Sequence, residues 1–312
     1  MKRKKILIIK FGGLGDVILS LSAMYSIFKN SKKKISLLTE VPFNKFLKQT
    51  CWFEEIITIK RSLFYFYDIY QIKNKINIHT YNEVFDLQTS KRSSHYLKIF
   101  KKSECKINGI GKYSNLTHTN PNRNTLHTIQ RQKDQLKLSK IKFFKNPDIS
   151  WLFRKKIKFE KKKIVLIVPG GSGSRLNKRI PIEIFYEITS LLLKFKIFPI
   201  LIGASDDLNV CKKINEKFPE SINMCMKTDF FDIASLAQKA IFSIGNDTGP
   251  MHIISLAKKK TIILFTQNSD PDLCSPVGNH IEILKYQNGK INFKKKVLKK
   301  TIWAINQSSI LT

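Results

Sequence analysis

Four apolar runs in the second half of the chain, in "KIVLIVPGGSGSR", "IFPILIGASDD", "AIFSIGNDTGPMH" and "KTIILFTQNSD", pass without a break into turns of Gly, Ser or Asp. Short continuous apolar runs bounded in this way read as parallel strands buried on both faces, because crossover helices must cover both sides of such a sheet. The first half repeats the theme. Residues 6–28, "ILIIKFGGLGDVILSLSAMYSIF", give a strand, a glycine turn and an apolar helical stripe; "KISLLTE", "EEIITIK" and "YNEVFDLQ" follow as strands and "KRSSHYLKIF" as a helix. Alternation of this kind predicts an α/β chain with open, mostly parallel sheets. The helical "TLHTIQRQKDQLKLSKI" closes a first domain, and the charged, aperiodic residues 143–163 read as a linker. The expected domains are therefore 1–150 and 151–312, the second ending in a helix over "LKKTIWAINQSSI".

Other classes lose ground on composition. The five cysteines lack any CxxC spacing, which argues against a disulfide framework or a zinc site and favours a reducing cytoplasm. Lys10 and the glycine turn cut short the apolar run behind the N-terminal Lys-Arg-Lys-Lys, so a signal peptide is not expected; nor does any stretch reach the roughly 18 apolar residues of a spanning helix. The net charge of +33 attracts acidic partners, yet its lysines are spread along the whole chain with abundant Ile and Asn, as a compositional bias would spread them. Zinc spacing, an RNP motif and aromatic-basic interleaving are all missing, so no specific nucleic acid is expected.

In open parallel sheets ligands bind beyond the carboxyl ends of the strands. Gly13 and Gly15 let the first turn bend sharply, and Asp16 behind them either caps the helix or does chemistry. In the second half, Gly170, Gly171 and Ser172 with Arg175, Lys178 and Arg179 form a candidate phosphate nest that lacks the Walker A spacing. The turn holding Asp247, Thr248, Gly249 and His252 would aim helix N–H groups at a diphosphate, with Asp247 as a cap the competing reading. A dinucleotide-dependent oxidoreductase is the alternative: Gly13 and Gly15 give a partial GxG, and Glu40 ends the second strand where a ribose-binding acid would sit. Ile18, however, stands in the place of the third glycine.

Several motifs, in order from residue 6 to about residue 280, resemble glycosyltransferase family 9, the ADP-heptose:lipopolysaccharide heptosyltransferases. They are "ILIIKFGGLGDVI", "DLQTSKRS", "KINGIGK", "VPGGSGSRLNKRIPIEIFYEI" and, the most specific, "SIGNDTGPMHIISLA". The resemblance implies a GT-B fold of two facing Rossmann-like domains, acceptor on the first and nucleotide-sugar donor on the second, with a C-terminal helix crossing back. It also implies inverting transfer that needs no metal or other cofactor. Asp16 then matches the family's base and Lys178 the cation that neutralises the diphosphate, with Arg175 or Arg179 as rivals. Gly170, Gly171, Ser172, Asp206, Asp247, Thr248, Gly249 and His252 fall on the donor side; Gly13, Gly15, Lys91 and Arg92 fall on the acceptor side. The implied acceptor is an anionic lipid-linked glycan, reached by a cytoplasmic protein in peripheral contact with the inner face of the membrane. Two departures touch the donor pocket: Ile180 replaces an aromatic, and Thr266-Gln267 replaces Gly-Pro.

Overall fold

A computed structural model describes residues 5–101, 103–159, 163–286 and 292–310, and the chain divides into two compact units, Met1–Trp151 and Leu152–Thr312. The division falls inside the segment read as a linker, where Trp151 is buried with its ring against Phe46 and Trp52 of the first unit.

The first unit holds strands β1 (Lys5–Ile9), β2 (Ile35–Thr39), β3 (Glu55–Thr58), β4 (Tyr81–Asp86), β5 (Lys106–Gly109) and β6 (Leu116–Thr117). Its helices are α1 (Leu14–Leu19), α2 (Leu21–Asn30), α3 (Phe43–Lys48), α4 (Tyr65–Lys75), α5 (Lys91–Tyr96) and α6 (Thr128–Lys137). The strands lie in the order β3-β2-β1-β4-β5-β6 and every pairing is parallel. Ile6 through Ile9 of β1 are wholly buried, as a central strand between two helical layers requires.

In the second unit, β7 (Ile164–Val168), β8 (Phe198–Leu201), β9 (Ile222–Asn223), β10 (Phe242–Asn246), β11 (Lys260–Phe265) and β12 (Ile281–Lys285) alternate with helices. These are α7 (Ile182–Lys194), α8 (Leu208–Lys217), α9 (Phe230–Lys239), α10 (Gly249–Ser255), α11 (Pro271–Cys274) and α12 (Asn292–Ile310). Read from β9, the order is β9-β8-β7-β10-β11-β12, again all parallel and the same topology as the first unit. The expected C-terminal helix is present as α12. Phe293, Val297, Ala304 and Ile305 on its apolar face join the core around Phe185 and Ile188 of α7.

Both orders reverse direction beside the unit's first strand, between β1 and β4 and between β7 and β10. Such a reversal opens a crevice at the carboxyl ends of the two strands, because their crossovers leave on opposite faces. The glycine turn after β1 and the turns after β7 and β10, singled out from sequence, all sit at these points.

Candidate functional site

In the second unit the two turns are fastened together by Asn246, the last residue of β10. Its buried amide donates to Pro169 O at 2.7 Å and Gly170 O at 2.9 Å, and its Oδ1 accepts from Ile180 N at 3.3 Å. Asp207, buried at the end of the 3₁₀ turn that leads into α8, fixes the loop from the other side, accepting from Gly171 N at 2.7 Å and from Ala204 N at 2.9 Å. A Cβ on Gly170 would lie 1.9 Å from Asp207 Oδ1, so only glycine fits there. Arg179 ties the same parts, donating to Asp207 Oδ1 at 3.2 Å, to Asp206 O at 2.9 Å and to Gly171 O.

These contacts revise the nest. Two of its N–H groups are already taken, Gly171 by Asp207 and Gly173 by Asp206 Oδ2 at 2.7 Å, and Arg179 is held by the loop. Ser172 and Ser174 share a hydrogen bond of 2.9 Å. The attraction for an anion therefore falls on cations. Lys178 reaches into the crevice, donating to Ser269 Oγ at 3.0 Å with Asp247 Oδ2 3.5 Å away, and Arg175 is exposed on the same rim. Ser269 in turn donates to Asp247 Oδ2 at 2.5 Å. The carbonyl of Asn177 is gripped by Thr266 Oγ1 at 3.1 Å and Asn268 Nδ2 at 2.9 Å, which holds the neighbouring Lys178 in place. The Thr266 departure from the family pattern is thus part of the site's frame, and Ile180 is simply core.

Asp247 is not a helix cap. The N-cap of α10 is Thr248, in extended conformation with no side-chain cap bond, whereas the Asp247 carboxylate, 7% exposed, faces Ser269 and Lys178. Gly249 opens α10 and His252 is buried on it. A cavity of about 450 Å³ opens beside this group, lined by Arg175, Asn177, Lys178, Ser269, Asp270 and Cys274 among others. Its volume suits a small ligand.

The first unit has its own polar centre at the β1/β4 crevice. Gly13 is the N-cap of α1, Gly15 lies in the first turn, and Asp16 is exposed there without capping anything. The cap reading of Asp16 falls too. Behind it Lys10 is buried; burial pushes its ammonium below the usual lysine range, and the nearby Asp16 and Asp86 carboxylates offset part of that. Asp86, at the end of β4, is pushed up to about 6 by burial despite accepting from the N–H groups of Thr89 and Gln88 and from Ser93 Oγ, and despite Lys10.

The two acceptor-side cations part company. Lys91 is exposed at the start of α5, whose N-terminus is closed by a Ser90–Ser93 capping box. Arg92 instead binds Asp68 and Ser62 O and donates to Tyr96 Oη at 2.8 Å. Asp68 is wholly buried. Burial works against its ionisation, but hydrogen bonds from Tyr96, Ser62 N–H and Arg92 outweigh it and hold the carboxyl below the usual range. Glu40, the acid on which the oxidoreductase alternative leans, forms a bidentate pair with Arg61 at 2.6 and 2.7 Å and accepts from Gly12 N at 2.8 Å.

Sequence reasoning missed Ser269, Asn246, Asp207 and Lys10. Each lay inside a quoted motif; the available signal was a polar residue at the carboxyl end of a buried strand or in the turn just beyond it.

The family model for glycosyltransferase family 9 (heptosyltransferase) matches residues 69–302. The chain belongs to glycosyltransferase family 9. Solved structures of similar fold include ADP-heptose lps heptosyltransferase II of E. coli, 15% identical with 98% of this chain and 99% of that one covered, at a TM-score of 0.78. E. coli heptosyltransferase WaaC with ADP is 17% identical, covering 95% and 99%, at 0.76. The family 9 glycosyl transferase of Veillonella parvula is 17% identical, covering 98% and 99%, at 0.74. No curated protein matches by sequence. As a family 9 chain this is a heptosyltransferase-type glycosyltransferase of the GT-B fold class, built from two Rossmann-like units. No helix among the described residues is long and apolar enough to cross a membrane.

Proposed function

We propose that the protein transfers a heptose from ADP-heptose to a lipopolysaccharide-core-type acceptor, with inversion at the anomeric carbon and no metal ion. The observation that carries this reading is the convergence of Lys178, Ser269 and Asp247 at the β7/β10 crevice in a chain of family 9. Structures of like fold, one named as an ADP-heptose lps heptosyltransferase and one as a heptosyltransferase with ADP, support the choice of donor.

Residues 1–150 take the acceptor and 151–312 the donor. Lys178, with Arg175 and the Ser172 hydroxyl, balances the diphosphate charge as it grows on the leaving group. Gly170 and Gly171 let the loop come close to it. Asp247 can only accept hydrogen bonds and would repel a diphosphate, so its partners are hydroxyls of the donor sugar. Thr248, Gly249 and His252 complete the donor turn, and Asp206 exchanges its bond to Gly173 for a ribose hydroxyl. On the acceptor side, Gly13 and Gly15 give close access and Lys91 meets an acidic group. Asp16 takes the proton of the acceptor hydroxyl as its oxygen bonds to the anomeric carbon and the bond from that carbon to the diphosphate oxygen breaks. A lipid-linked acceptor brings the protein to the inner face of the cytoplasmic membrane.

The test is incubation of the purified protein with ADP-heptose and heptose-deficient lipopolysaccharide core, following ADP release and the anomeric configuration of the product by NMR. The reading requires ADP release matched by product of inverted configuration. Retention, release by hydrolysis alone, or abolition of turnover by a chelator would contradict it.

A further inference from the structure

The end of the connection from β3 and the first turns of α4 carry six large exposed side chains. Leu63 is 95% exposed, and Phe64, Tyr65, Phe66, Tyr67 and Tyr70 are between 49% and 65% exposed. Single exposed apolar residues are ordinary, but a contiguous group of this size marks a surface that meets something. The tip is not loose. Buried Asp68 accepts from Ser62 N at 2.9 Å, Arg92 binds both Asp68 and Ser62 O, and Ile72 seats the next turn of α4 in the core. The fold therefore anchors the segment firmly and presents its aromatics outward.

We propose that this ledge is a membrane-docking surface that inserts into the interfacial region of an anionic bilayer. Two features favour a bilayer over a protein groove. Leu63, Phe66, Tyr67 and Tyr70 share one helical face, but Phe64 and Tyr65 lie off it, so the exposed side chains wrap around the tip where a helix laid in a groove would show that single stripe alone. Tyrosines mixed with Phe and Leu also suit an interface where ring bodies meet acyl chains and hydroxyls meet headgroups.

Charge selects the kind of bilayer. Between residues 60 and 75 the one acid is Asp68, which is buried and paired, whereas Lys60, Lys73 and Lys75 are exposed, and Lys91 is exposed on α5. Arg61 adds little, being paired with Glu40. A tilted contact of Tyr65 with His95 at 5.4 Å and an edge-on contact of His95 with Tyr113 at 6.5 Å join the ledge to α5 and to the turn after β5, where Lys112 lies over Tyr113. Apolar burial and attraction to anionic headgroups then act together, as interfacial binding requires. The inference rests on the lipid-linked acceptor only for its purpose; the surface itself is independent of the reaction.

The experiment is vesicle flotation of the full chain with phosphatidylglycerol/phosphatidylethanolamine and with pure phosphatidylcholine vesicles, at about 0.15 M and about 1 M salt, where screening lengths are roughly 8 and 3 Å. The wild type should bind the anionic vesicles and keep a salt-resistant fraction. The variant Leu63→Ser/Phe64→Ser/Phe66→Ser, with unchanged thermal unfolding, should lose that fraction by at least about tenfold. Lys295→Glu/Lys296→Glu, two exposed changes on α12 that lower the general charge, should retain it. Wild-type binding that vanishes at 1 M salt, or a serine variant that floats like wild type, would overturn the proposal. So would a wild-type dimer that the serine variant turns into monomer while vesicle binding stays unchanged, since the ledge would then belong to a second copy. ADP titration of the same samples reads the donor site separately, so failure there leaves the vesicle result standing.

Discussion

The Ser269 hydroxyl donates to Asp247 Oδ2 at 2.5 Å, linking a turn after β11 to the turn after β10, and Lys178 completes the group from the loop after β7 at 3.0 Å. Three separate turns thus hold one cation and one carboxylate side by side. Neither polar group was assigned by the local rules of its own turn. Their pairing follows from the strand order, which places β7, β10 and β11 next to one another.

Removal of the cation should be felt first in nucleotide binding. A charge-assisted hydrogen bond contributes about 1.5 to 3 kcal/mol, so Lys178→Ala should weaken ADP binding by about ten- to a hundredfold, and Ser269→Ala by only about fivefold. Asp247→Ala should weaken ADP-heptose more than ADP, because the carboxylate serves the sugar. Calorimetric titration of both ligands into the three variants checks the order.

Asp16 is exposed and caps nothing, so its loss should leave the fold intact. Asp16→Ala should still fold and bind ADP normally, unfolding somewhat below the wild-type temperature because buried Lys10 loses a nearby carboxylate, with turnover reduced by about 10²- to 10⁴-fold, the usual worth of a positioned base. Near-normal turnover would remove it from the chemistry.

Asp86 makes stability depend on pH. Its carboxyl titrates near 6 when folded and near 3.8 when free of the fold, so the folded state holds the proton more tightly between those values. The corresponding stability is complete below about pH 4 and is lost as pH rises through 6. Asp86→Asn has no proton to lose there. Its stability relative to wild type should climb over that window, by at most about 3 kcal/mol, and level off above it. Urea unfolding of both proteins at several pH values reads this directly, and a difference that does not change with pH would contradict it.

Arg92 is placed to hold α4 and α5 together, since its guanidinium is spent on Asp68, Tyr96 and Ser62 O. Deleting Arg92, itself partly exposed, strands the charge of wholly buried Asp68, which keeps its bonds from Ser62 N and Tyr96, at a cost of about 2 to 3 kcal/mol. Arg92→Ala should lower unfolding stability by about that amount, whereas Lys91→Ala, exposed one residue earlier, should change it hardly at all. Denaturant titrations of the two variants separate the roles.

The strands and the glycine turns were legible because buried parallel strands announce themselves as continuous apolar runs, and both β1 and β7 do so. Family motifs pointed to Asp16, Lys178 and Asp247. What the sequence concealed was the partnership of side chains far apart in the chain. Arg92 read as a free acceptor contact because nothing local reveals that Asp68 is buried beneath it. The loop after β7 read as an open nest because Asp206 and Asp207, which occupy its N–H groups, lie some thirty residues on. Short strands such as β6 and β9 escaped because two residues give no period to read.

The central claim is that the β7/β10 crevice holds a nucleoside diphosphate through Lys178. Titration calorimetry of ADP, UDP, GDP and NADH into the wild type and Lys178→Ala at moderate salt tests it most directly. The account predicts selective one-to-one binding of ADP, weakened at least about tenfold in the variant. Equal, salt-sensitive binding of all four ligands, or ADP binding indifferent to Lys178, would contradict it.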